Sequence, residues 1–141
     1  MPPAKISRPY VCIFSESSTK QGRLLFANGD FELGDLTSWT AAGDAFDAAQ
    51  PTMGDNTRAR GREPSRHQGK YWIGTYERYD GKSGRPGDAR GDAPTGTLRS
   101  TEFTIDGDAI SFLISGGFDP DRLRAALVID GRVHVVVTEK P

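Results

Sequence analysis

The chain has 141 residues, 35% hydrophobic and 26% charged, enough apolar content for one folded domain and too little length for two. Its net charge is −1 with basic residues spread among acidic ones, which excludes nucleic acid as the principal partner, because phosphate binding wants a concentrated basic face. The single cysteine, Cys12, excludes an intrachain disulfide and a multi-cysteine zinc site, and no apolar run reaches the length of a membrane span.

In chain order, residues 1–22 are rich in Pro, Ser and Lys without periodicity and read as a tail or linker ahead of a domain over 23–141. Tyr10-Val11-Cys12-Ile13-Phe14 is too short for the apolar stretch of a signal peptide, and no small-residue cleavage site follows it. Leu24-Leu25-Phe26 precedes a turn at Asn28-Gly29-Asp30, where Gly tolerates positive φ and Asn or Asp bonds its own backbone. Phe31, Leu36 and Trp39 then read as buried anchors. Residues 47–68 are polar and read as a long loop, with a basic stretch at Arg58, Arg60, Arg62 and Arg66. Tyr71-Trp72-Ile73-Gly74-Thr75-Tyr76 is a β-rich run, in which Trp72, Gly74 and Tyr76 share one face. A Gly-rich polar stretch covers 79–94. Further β-rich runs at 96–105, 109–115, 123–129 and 133–137 are punctuated by Asp106-Gly107 and Asp130-Gly131, which predict tight hairpin turns. Helical periodicity is poor throughout; Asp121 to Leu127 is too short to compete. The fold class is all-β. Phe31, Phe46, Trp72, Ile73, Phe103, Ile105, Phe112, Ile114, Leu127 and Ile129 are the expected core.

Residues 28–39 read Asn-Gly-Asp-Phe-Glu-Leu-Gly-Asp-Leu-Thr-Ser-Trp. This segment resembles the opening of galactose-binding-like β-sandwich modules, of the kind attached to levanase-type glycosidases and large secreted bacterial proteins. Gly43-Asp44-Ala45-Phe46, the stretch 69–77, the stretch 96–105, Ile110–Gly117 and Leu127–Val133 follow in the family's order, so the resemblance spans about residues 24–138. It implies a jelly-roll sandwich and an extracellular or cell-surface location. The family continues into further strands after the point where this chain stops, so the resemblance also implies a sandwich incomplete at its C-terminal end, with an exposed edge at Val133–Val137 open to self-association. Gly116-Gly117-Phe118-Asp119-Pro120 stands where the family carries a His, and no role is transferred there.

Sugars stack their C–H faces on aromatic rings and bond their hydroxyls to charged or amide groups. Trp72, Tyr76, Glu77, Tyr79 and Arg58 are therefore the candidate carbohydrate-binding residues. Asp30, Glu32 and Asp35 are candidate oxygen ligands for a structural Ca²⁺, which related sandwiches carry near this turn. No catalytic motif is present: Gly81-Lys82-Ser83 lacks the first glycine of a P-loop, Asp119-Pro120-Asp121 lacks the later ligands of an EF-hand, and no nucleophile elbow occurs. No pair of acidic residues sits in a recognisable glycosidase motif. The expected function is a non-catalytic module that binds a polysaccharide or glycan; the alternative is a structural or protein-interaction sandwich without a sugar site. Burial of Trp72 and Tyr76 with no aromatic left on the surface favours the alternative, and a concave groove with exposed Tyr76, Tyr79 and an acidic or arginine neighbour favours sugar binding.

Overall fold

Short β-prone runs divided by Gly, Asp and Asn turns produce strands and almost no helix. A computed structural model describes residues 12–16, 23–46, 49–107, 109–114, 119 and 121–137. The elements are β1 (Cys12–Glu16), β2 (Arg23–Leu24), β3 (Trp39–Gly43), β4 (Thr52–Met53), α1 (Asn56–Ala59), β5 (Tyr71–Trp72), β6 (Gly96–Ser100), β7 (Ala109–Leu113), β8 (Ala125–Ile129) and β9 (Arg132–Val137). The domain is all-β, apart from one helical turn. Among the described residues the strands pair antiparallel as four small sheets: β2-β1-β7, β3-β6, β4-β5 and β8-β9.

Three sequence expectations change here. The segment read as a tail contains β1, which pairs with β2 on one side and β7 on the other. A β-prone run so far from its partner carries no local sign of pairing, so composition alone assigned it to the tail. Asp106-Gly107 is not a hairpin turn, because β6 and β7 belong to different sheets, with β3 and β1 as their partners. Within the polar stretch 47–68, β4 and α1 are ordered, the latter capped by the Asp55 carboxylate, which accepts the Arg58 N–H. By contrast, Asp130-Gly131 is the expected turn. Both residues take positive φ, 51° and 77°, as a two-residue turn twisted to match its strands requires. No helix among the described residues is long and apolar enough to cross a bilayer.

The core is small. Among the described residues Phe31, Ala45, Trp72 and Ile73 are its buried hydrophobic members, and each large side chain removed from water contributes about 1.5–3 kcal/mol. Around Phe31 an aromatic cluster forms: Trp39 stacks on its ring at 4.7 Å and meets Phe26 edge-on at 5.3 Å, while Phe26 stacks on Phe103 at 5.6 Å. Phe46, Phe103, Phe112, Ile114, Leu127 and Ile129 are half-buried. Ile105 is 47% exposed and leaves the core, because it lies past the end of β6 where no neighbouring strand fixes its side. In β8 burial alternates, with Ala125, Leu127 and Ile129 half-covered and Ala126 and Val128 open. Val133 and Val135 are also exposed, at 59% and 49%.

The expected alternation through 71–76 does not hold. Only Tyr71–Trp72 is strand, and Trp72, Ile73 and Gly74 are buried in succession. After Trp72 the chain turns, with Glu77 N–H donating to the Gly74 carbonyl at 2.9 Å. Side chains therefore enter the interior from a bend, where period 2 has no meaning.

Candidate functional site

Asn28 organises the first turn. It adopts φ 60°, a left-handed conformation that Asn tolerates better than most residues, and it is buried. Its side-chain amide donates to the carbonyls of Asp35 and Thr37, both at 2.9 Å, and its side-chain oxygen Oδ1 accepts the Leu33 N–H. Trp39 closes the turn by donating its indole N–H to the Asn28 carbonyl at 3.0 Å. Trp39 is thus an anchor of the turn, but of the three expected buried anchors only Phe31 is fully buried, Leu36 and Trp39 being half-buried.

The carboxylates proposed for calcium have separate duties. Asp30 accepts the Glu32 N–H, and Asp35 accepts the Thr37 N–H at 2.9 Å, a bond that holds the Asp35 carboxyl below the usual carboxylate range. Glu32 reaches across the chain to accept the N–H groups of Lys70 and Tyr71. Gly69, at φ 73°, lies so near that a Cβ there would stand 2.4 Å from the Glu32 carboxylate. Asp30, Glu32 and Asp35 are not gathered into a cage, and among the described residues no group of three His, Cys, Asp or Glu side chains is placed to hold a metal ion. The reason is local: free backbone amides in these turns capture the carboxylates first.

The sugar-site residues separate into two groups. Trp72 is fully buried and donates its indole N–H to the Gly54 carbonyl at 2.8 Å. Glu77 is likewise fully buried. Its two oxygens receive the two terminal nitrogens of Arg60 in a forked pair, Nη2 to Oε1 at 2.7 Å and Nη1 to Oε2, and the Asn56 amide adds a bond at 2.8 Å. Neither Trp72 nor Glu77 is exposed to an external sugar, which corrects their assignment as contact residues. A buried carboxylate is tolerable only when paired and bonded in this way. Tyr76 and Tyr79 remain half-exposed, and Arg58 is exposed on α1.

Sequence reasoning missed Arg60. Placed in a run of four arginines, it carried no local mark that distinguished it from its solvated neighbours. Its guanidinium lies over the Tyr76 ring, 5.0 Å from the centroid, so one group joins the buried carboxylate to the surface aromatic. The bond to Glu77 raises the Arg60 pKa above its ordinary value, which keeps it charged. Around this pair the loop 76–90 folds back on itself. Arg78 N–H donates to the Asp88 carbonyl, Arg90 N–H donates to the Tyr76 carbonyl, and the Asn56 amide also donates to the Asp88 carbonyl.

His67 was also hidden in polar sequence. Its ring stacks on Trp72 at 5.6 Å, and its Nδ1 is hydrogen-bonded to the Ser65 hydroxyl. Burial lowers its pKa, against the raising influence of Asp55 and Glu32. Asp55 accepts the backbone N–H of Ser65 at 3.1 Å and the Thr57 hydroxyl at 3.0 Å. Burial pushes the Asp55 carboxyl up, but these bonds and that from Arg58 outweigh it and hold it low. The acid therefore bonds the serine backbone. In a hydrolytic triad it would orient the histidine, so this trio lacks that order.

Searches against known proteins find no matching family model, no matching curated protein and no matching solved structure.

Proposed function

We propose that the chain is a non-catalytic carbohydrate-binding module, with Tyr76 and Tyr79 as its aromatic contacts and Arg58 as a hydrogen-bonding neighbour. One observation carries this reading. Arg60, locked by buried Glu77, lies over one face of the half-exposed Tyr76 ring, a contact that restricts the ring's movement. A ring held in advance loses little entropy when a sugar stacks on it, which is the condition for useful affinity from few contacts. The jelly-roll sandwich and the extracellular setting belong to the same proposal, supported by the ordered motifs of residues 24–138.

The test is titration with fructans, galactans and plant polysaccharides, beside Tyr76→Ala and Tyr79→Ala. Binding that weakens in both variants at unchanged melting temperature supports the reading. No heat or mobility change with any glycan at millimolar concentration overturns it.

Burial of Trp72 and Glu77 favours a second reading, a structural or protein-interaction β-domain in which the Arg60–Glu77 pair serves the fold alone. On that reading Tyr76→Ala lowers the melting temperature and no glycan binds.

A further inference from the structure

One segment departs from the even spread of charge along this chain. Between residues 55 and 70 there are five basic side chains (Arg58, Arg60, Arg62, Arg66, Lys70) and two acidic ones (Asp55, Glu63), giving +3 in a chain of net charge −1, so the remainder carries −4. The segment is not a loose loop. Gly61 N–H donates to the Arg58 carbonyl at 2.9 Å, Arg62 N–H to the Thr57 carbonyl at 3.0 Å, and Ser65 N–H to the Asp55 carboxylate at 3.1 Å. Thr57, fully buried, ties its hydroxyl to the Glu63 carbonyl at 2.7 Å. These bonds return the backbone of Arg62, Glu63 and Ser65 to the side of α1.

Arg60 is neutralised by Glu77, yet Arg58, Arg62 and Arg66 are exposed and form no ion pair among the described residues. Arg66 moreover holds φ 55°, a conformation unfavourable for a side chain of its size, between Ser65 and His67, which are both tied inward. Three exposed arginines on one closed segment share only Asp55 and Glu63 as acidic neighbours in sequence, and no ion pair among the described residues compensates them. An anionic partner would.

We infer that this basic segment binds an anionic polysaccharide, one carrying carboxylate or sulfate groups, and that it extends the contact made by Tyr76. The inference rests on the proposed carbohydrate-binding reading and names the class of glycan. Arg60 provides the continuity, since it belongs to the basic segment and stacks on Tyr76. Guanidinium forks match carboxylate and sulfate oxygens in pairs, while the aromatic ring takes the apolar face of the sugar. Acid-bearing and sulfated chains present the same chemistry, so the ratio of their affinities identifies the source.

The experiment titrates the full chain with polygalacturonate, a sulfated galactan and an unsulfated galactan at low and physiological salt, beside the variant Arg62→Gln/Arg66→Gln. The expected result is that one or both anionic polymers bind at least about tenfold more tightly than neutral galactan, that the preference shrinks as salt shortens the screening length to about 8 Å, and that the double variant loses most of it. A circular dichroism melt of the variant matching the parent shows that the loss is not unfolding. Equal affinity for neutral and anionic chains overturns this inference and leaves the carbohydrate reading standing. Binding to no glycan overturns both. Duplex DNA binding as tightly as polygalacturonate at matched salt also overturns it, because charge alone would then explain the affinity.

Discussion

Removing the Arg60 guanidinium would leave a carboxylate of 0% exposure without its counter-charge, with only the Asn56 amide to satisfy it. Arg60→Ala should therefore cost about 3–5 kcal/mol, read from urea unfolding. Arg60→Lys keeps the charge, loses the fork, and should fall between that variant and the parent. A loss below about 1 kcal/mol in the alanine variant would mean that water reaches Glu77 and screens the pair. His67 provides a second test, through pH. Burial holds its folded pKa below the ordinary histidine value of about 6.5, so from about pH 6.5 downward the unfolded chain takes up the proton first. Stability is complete above that value, declines as pH falls through the lowered folded pKa, and is level below it. The Asp55 and Asp80 carboxyls, also held low, add a separate decline in more acidic solution. Melting temperature recorded against pH should show the histidine step, and His67→Gln should erase it. A variant with the same slope as the parent would assign that step elsewhere.

Turns decide the elements of this chain, and two glycines show why. Gly131 has φ 77° and open space around the position of a Cβ, so Gly131→Val is opposed by backbone conformation alone. The expected loss is roughly 1–2 kcal/mol, with the β8-β9 pairing weakened in hydrogen exchange. An unchanged unfolding midpoint would show that the hairpin contributes nothing to cooperative stability. At Gly69, φ 73°, a neighbour adds to the same backbone obstacle: the Glu32 carboxylate that holds the start of β5. Asp130-Gly131 could be read from sequence because a two-residue turn between β-rich runs is self-contained. Asp106-Gly107 has the same composition and forms no such turn, since its flanking strands are claimed by β3 and β1. Turn chemistry states what a dipeptide permits, and pairing elsewhere decides whether the permission is used.

Across the whole molecule the balance is between a small core and a polar interior. Val128, Val133 and Val135 stay open to solvent on a sheet of two strands, and neither β8 nor β9 pairs with a third strand among the described residues. Open edges of this kind accept another chain. The mean mass in light scattering should rise with concentration, and Val133→Lys should suppress that rise without lowering the melting temperature; a parent chain that stays monomeric at every concentration would refute it. Composition and turn chemistry by themselves determined the β-rich class, the aromatic anchors Phe31 and Trp39, and the hairpin at Asp130-Gly131, because each depends on residues near in sequence. Only the tertiary structure decided that Glu77 and Trp72 are interior, that Arg60 differs from Arg58, and that β1 belongs to the domain. Those facts depend on which distant group satisfies a buried charge, ring or strand edge, and no local pattern encodes the partner.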